Sequence, residues 1–142
     1  KYLALLTPIL LANVAVFATV FAGSRLVSEP IAAADLLAVH ALSVPYFLCC
    51  GAFGMLASVL TAERIVAEGV AAGGVVGAFL LDTIASGSGQ SWLGALSPTR
   101  YYDPLGILTA SEYDLTGAGI LLAATAVLLV VAAAWFREVD LA

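Results

Sequence analysis

Charge is what this chain most lacks. Only 11% of its 142 residues are Asp, Glu, Lys or Arg, and the basic ones number five: Lys1, Arg25, Arg64, Arg100 and Arg137. Nucleic acids and anionic lipid surfaces are gripped by clustered Lys and Arg. Here the five are scattered and the net charge is -5, so no nucleic-acid partner is expected. Histidine is limited to His40 and cysteine to the adjacent pair Cys49 and Cys50. Helical neighbours point about 100° apart, so the two thiols read as small packing residues rather than a redox pair. No His, Cys and carboxylate grouping has metal-ligand spacing. No G-x-x-x-x-G-K-[ST] phosphate loop occurs either. No catalytic residue, metal site or bound cofactor is therefore expected in this chain, and it does not read as an enzyme.

What the chain has is apolar length. Hydrophobic residues make up 63% of it and the mean hydropathy is +1.08. Too short a chain remains to cover such a surface in water. The apolar residues gather into four stretches, about Leu3–Ala22, Leu36–Leu60, Ile65–Ile84 and Leu115–Phe136. Some 20 apolar residues at about 1.5 Å rise cross a hydrocarbon core of ~30 Å, and each stretch meets that length. The sequence predicts one all-α domain over 1–142: a polytopic bundle of four transmembrane helices, multi-pass in the cell membrane and bounded by the lipid bilayer. The chain starts at Lys1 without an initiator Met and shows no signal-cleavage site, so a piece of a longer protein is expected.

Interruptions inside the stretches mark candidate contacts. Asn13 in the first and His40 in the second are polar groups at membrane depth, expected to hydrogen-bond between helices. Pro45 predicts a kink. Cys50, Gly54 and Ser58 recur every four residues and form one small-residue face. Gly69, Gly73 and Gly77 repeat the spacing in the third stretch as two overlapping G-x-x-x-G motifs, expected where a neighbouring helix approaches closely. Glu68 and Asp82 sit near the two ends of that stretch, where a carboxylate can be solvated. The tight turn Thr61–Arg64 carries Glu63 and Arg64. Residues 85–114 form a loop too rich in Trp, Tyr and Leu to be a disordered linker, and short interfacial helices are expected in it.

Four crossings put both ends on one side. Lys1, Arg64 and Arg137 share one face of the membrane, and Arg25 and Arg100 the other. The positive-inside rule then predicts cytoplasmic termini and an extracellular 85–114 loop.

The loop segment ALSPTRYYDPLGIL and the closing WFREVDL resemble the C-terminal half of permease subunits of ABC-2-type transporters. The loop's L-S-P aromatic element is matched by Leu96, Ser97, Pro98, Tyr101 and Tyr102. The tail is matched by Phe136, Arg137, Asp140 and Leu141. The resemblance implies the last four of six helices, a second permease copy, and a separate ATPase subunit that carries the ATP. It also implies that the first two helices and the coupling helix lie outside this sequence, which leaves Glu63 and Arg64 as candidate contacts to the ATPase subunit. Two other functions fit the residues: a four-helix scaffold without a transport path, and a small proton-coupled exporter. The latter usually carries a carboxylate deep in a helix, and the first, second and fourth stretches have none.

Overall fold

The structure, a computed structural model, describes residues 3–28, 31–61, 63–88 and 91–139. Lys1, Glu29, Asp140 and Leu141, which enter the charge count and the tail motif, lie outside the described residues. Four long helices dominate: α1 (Leu3–Leu26), α2 (Ala33–Leu60), α3 (Arg64–Ser88) and α6 (Leu115–Val139). Between α3 and α6 come α4 (Ser91–Gly94), a 3₁₀ turn (Pro98–Tyr101) and α5 (Pro104–Ala110). The fold is all-α, and each long helix is apolar enough and long enough to span a bilayer. At most 22% of any span is buried inside the chain. Helices apolar on every side with so little internal cover belong in lipid.

The helices outrun the apolar stretches by about a turn. α1 continues to Leu26, α2 starts at Ala33 and α3 runs to Ser88. Hydropathy falls where the headgroups begin, but backbone hydrogen bonding does not. Polar residues in these extra turns fold back onto their own helix. Ser24 Oγ donates to the Phe21 carbonyl at 3.0 Å, and Ser86 Oγ to that of Asp82 at 2.9 Å. The Arg25 guanidinium lies 5.2 Å from the centre of the Phe21 ring, a cation over an aromatic face one turn away. α1 and α2 remain continuous through Pro8 and Pro45.

α2 is the shared support. It packs most extensively on α6, then on α3 and α1. Its buried positions are mostly small: Ser43, Cys49, Ala52 and Ala57, with Leu36 near the loop end. The facing stripe of α6 buries Gly117, Leu121, Thr125 and Ala132, and Cys49 lies against Thr125. Lipid tails are as apolar as Leu, so helices in a bilayer gain most from close, small-residue contact. Four crossings make α2 and α6 run in the same direction, from the long loop toward the Thr61–Arg64 turn.

The glycines divide differently from the expectation. Gly54 does meet α3: a Cβ there would lie 3.6 Å from that of Ala71. Ser58 is exposed. Gly69, Gly73 and Gly77 face outward, and a Cβ on any of them would have no heavy atom within 4 Å. Among the described residues nothing packs on this stripe, so the close neighbour expected there is not one of the helices described. The spacing reports alignment along a helix but not which way the aligned face points. The glycine that does face α2 is Gly74, where a Cβ would collide with the Phe53 ring.

Gly74→Leu is therefore expected to destabilise the detergent-solubilised protein by about 1–3 kcal/mol through overpacking. Gly73→Leu is expected to be neutral or to stabilise by up to about 1 kcal/mol, because Leu is the better helix former. Thermal unfolding of the two variants beside the parent checks the pair, and a reversed order would refute this packing.

Candidate functional site

The long loop is built by caps and then bolted to α2. Ser97 is fully buried and its Oγ accepts from the Thr99 N–H at 3.2 Å, starting the 3₁₀ turn with Pro98 in its first position. Asp103 Oδ1 accepts from Leu105 N–H at 3.0 Å and Gly106 N–H at 3.1 Å, starting α5, with Pro104 following it. Asp114 Oδ1 accepts from Gly117 N–H at 2.7 Å at the head of α6. Each carboxylate satisfies amides that a helix N-terminus leaves orphaned. α5 ends at Ser111 in the left-handed region, φ 52°, the geometry that closes many helices.

Two tyrosines fasten this structure to α2. Tyr102 Oη donates to the Val39 carbonyl at 3.1 Å, and its ring stacks on Tyr46 with centroids 5.6 Å apart. Burial raises the Tyr102 phenol above its ordinary value, with a nearby Ser43 pulling the other way. Tyr113 Oη donates to Asp35 Oδ1 in the first turn of α2. That hydrogen bond raises the Tyr113 phenol, because ionising it would set two anions face to face.

Beneath the loop lies a cavity of about 470 Å³. Cys50 and Phe53 of α2 form its floor, Ala78 of α3 and Ala124 of α6 its walls, and Pro98 and Tyr101 of the 3₁₀ turn its roof. α3 and α6 both lean on α2 and share almost no contact with each other, so the cavity is a groove open sideways between them. The Tyr101 hydroxyl does not serve the groove, since it donates to the Ala95 carbonyl at 2.8 Å. A second, polar cavity of about 310 Å³ lies between the loop and the outer part of α2, with Arg100, Asp103, Glu112 and Asp114 around it. Two of those acids are already engaged as helix caps.

Of the two polar groups expected to hydrogen-bond between helices, Asn13 does so and His40 bonds within its own helix. Ser43 Oγ lies 2.8 Å from both Asn13 Oδ1 and the His40 carbonyl, so one hydroxyl joins α1 to α2. Asn13 Nδ2 donates to the Ile9 carbonyl at 3.0 Å. His40 Nδ1 is 2.8 Å from the Leu36 carbonyl, and the imidazole meets Phe17 edge-on at 5.5 Å. Glu63 is exposed at the α2–α3 turn. Arg64 pairs forward with Glu68 at 2.7 Å rather than with Glu63, and both partners of that bridge are open to the surroundings. One site escapes any reading of spacing. A Cβ at Gly94 would lie 2.8 Å from Arg100 Nη1 and 3.0 Å from Asp82 Oδ1, so α3, α4 and the 3₁₀ turn converge there, and a larger residue would require the Arg100 side chain to shift.

Comparison of the chain with protein families, with curated proteins and with solved structures finds no match.

Tyr102→Phe is expected to cost about 1 kcal/mol, the net value of one hydrogen bond, and to speed amide exchange across 97–103. The Tyr113 tie holds while its phenol keeps the proton. It is intact below the ordinary tyrosine value near 10 and is lost only as pH rises through the raised one. Titration of tyrosinate absorbance in the parent and in Tyr113→Phe should show one raised tyrosine missing from the variant. An unchanged high-pH limb would count against the Tyr113–Asp35 bond.

Proposed function

We propose that this chain is the membrane-spanning part of a permease subunit of an ATP-binding-cassette transporter of the ABC-2 type. In this reading it forms part of an export path with a second permease copy, and a separate ATPase subunit supplies the drive. The termini and the Thr61–Arg64 turn face the cytoplasm, and the long loop faces outward. One observation carries the reading. Within the loop segment on which part of the resemblance rests, Ser97 and Asp103 cap the short helices, Pro98 and Pro104 open them, and Tyr102 ties them to α2. A loop segment in which caps, prolines and a tyrosine tie share one task is a constrained element of a fold rather than a chance string.

Glu63 and Arg64 are the candidate ATPase contacts under this topology. They are exposed, and the Arg64–Glu68 bridge is a surface pair worth little by itself. In the full-length permease, exchanging both charges, Glu63→Lys with Arg64→Glu, should lower transport-coupled ATP hydrolysis several-fold while membrane insertion stays intact. Failure of any ABC ATPase subunit encoded beside it to co-purify with the parent would favour the scaffold instead. A cysteine at position 63 labelled from outside intact cells by a membrane-impermeant reagent would overturn the orientation.

A further inference from the structure

We propose that the groove between α3 and α6 is a lipid-tail site, occupied by the distal half of one phospholipid acyl chain from the leaflet on the loop side. The inference goes beyond the transport reading and does not depend on it.

Size and depth come first. The cavity of about 470 Å³ lies within the ~300–1,000 Å³ of small-molecule sites. Its lining on α6 reaches from Ile120 to Leu128, about 12 Å along the axis at ~1.5 Å per residue. One leaflet contributes about 15 Å, half of the ~30 Å hydrocarbon core. α6 begins at Leu115 under the loop, so the groove covers the loop-side half of the hydrocarbon and ends near the midplane.

Chemistry then decides the occupant. Water in a cavity needs two to four polar partners. The floor and walls offer alkyl groups, the Phe53 ring and the thiols of Cys49 and Cys50, which bond only weakly. The one hydroxyl in the roof already donates elsewhere. The groove is also held open rather than collapsible. Phe53 stands against the bare backbone of Gly74, and the 3₁₀ turn contacts α3, α6 and α2 alike. Its open side belongs to the lipid-facing surface of the spans. A rigid, unhydrated, chain-deep slot open to hydrocarbon takes a hydrocarbon chain.

The roof makes the arrangement specific. The Tyr101 carbonyl would be 2.7 Å from a Cβ at Gly117, so the loop closes tightly over the first turn of α6. A chain cannot drop in from the headgroup end and must slip in sideways below Tyr101. The terminal methylenes then lie inside, and those next to the ester remain outside with the annular lipid.

The test uses the purified protein in nanodiscs of dioleoylphosphatidylcholine, doped with phosphatidylcholine carrying a photoactivatable diazirine. The diazirine sits near the chain terminus in one probe and near the carboxyl end in another. Adducts are mapped by peptide mass spectrometry. With the terminal probe, adducts should gather on the segments holding Cys50, Phe53 and Ala124, several-fold above the exposed α1 positions Leu11 and Val14. The carboxyl-end probe should lose that preference. Ala124→Trp and, from the opposite wall, Ala78→Trp each fill the groove and should remove the excess while leaving α1 labelling unchanged. Thermal unfolding identifies a variant that is misfolded, and the other then carries the comparison. Equal labelling of groove and α1 by the terminal probe, or an excess that survives groove filling in a folded variant, would overturn the proposal.

Discussion

Close packing of small side chains against α2 is the interaction on which the other helices depend. A bilayer supplies no hydrophobic force to press one apolar helix onto another, so proximity of backbones and a few hydrogen bonds must do so. α2 concentrates both. Cys49 meets Thr125 of α6 on one side, and Gly54 and Phe53 receive α3. On the third side the Ser43 hydroxyl reaches Asn13 of α1. Remove α2 and no two of the other long helices have a substantial shared face. The groove follows from the same fact: two helices set on neighbouring flanks of a third leave a slot where they fail to touch.

The spans were legible because crossing a bilayer imposes a length and an apolar composition that few other segments satisfy. Their ends were less so. Ser24, Arg25 and Asp35 look like loop residues by hydropathy, yet they sit on helical turns where Ser24 bonds back to Phe21, Arg25 lies over the Phe21 ring and Asp35 accepts from Tyr113. The short helices of the loop were foreseeable from its apolar, proline-punctuated composition. Ser97 before Pro98 and Asp103 before Pro104 then act as their N-caps. The glycine stripe was legible as a face but not in its direction. Gly69, Gly73 and Gly77 share a face, but one residue further on a helix turns about 100°, and Gly74 rather than Gly73 meets the neighbour. The groove was invisible to any reading along the chain, because its floor, walls and roof come from four elements distant in sequence.

Asn13 and Ser43 form the polar link between α1 and α2, each with a further bond to its own helix, and the His40 ring adds an edge-on contact with Phe17. Such groups reward one register of the two helices and penalise others, since a slip would strand a hydroxyl or amide in hydrocarbon. At the loop end the acids play a related part. Asp103 and Asp114 look like a cluster awaiting a cation, but each faces amides of the helix it begins.

The dominance of the α2–α6 contact has a consequence for biogenesis. Seventy-six positions separate Cys49 from its partner Thr125 (125 minus 49). At translation rates of roughly 5–20 residues per second, α6 trails α2 by about 4–15 s. Throughout that interval α1, α2 and α3 exist with the small-residue flank of α2 uncovered, a vacancy that an insertase or quality-control factor could read as unfinished assembly. The packing of these four helices is thus closed late, when the helix that follows the loop arrives beside one made long before it.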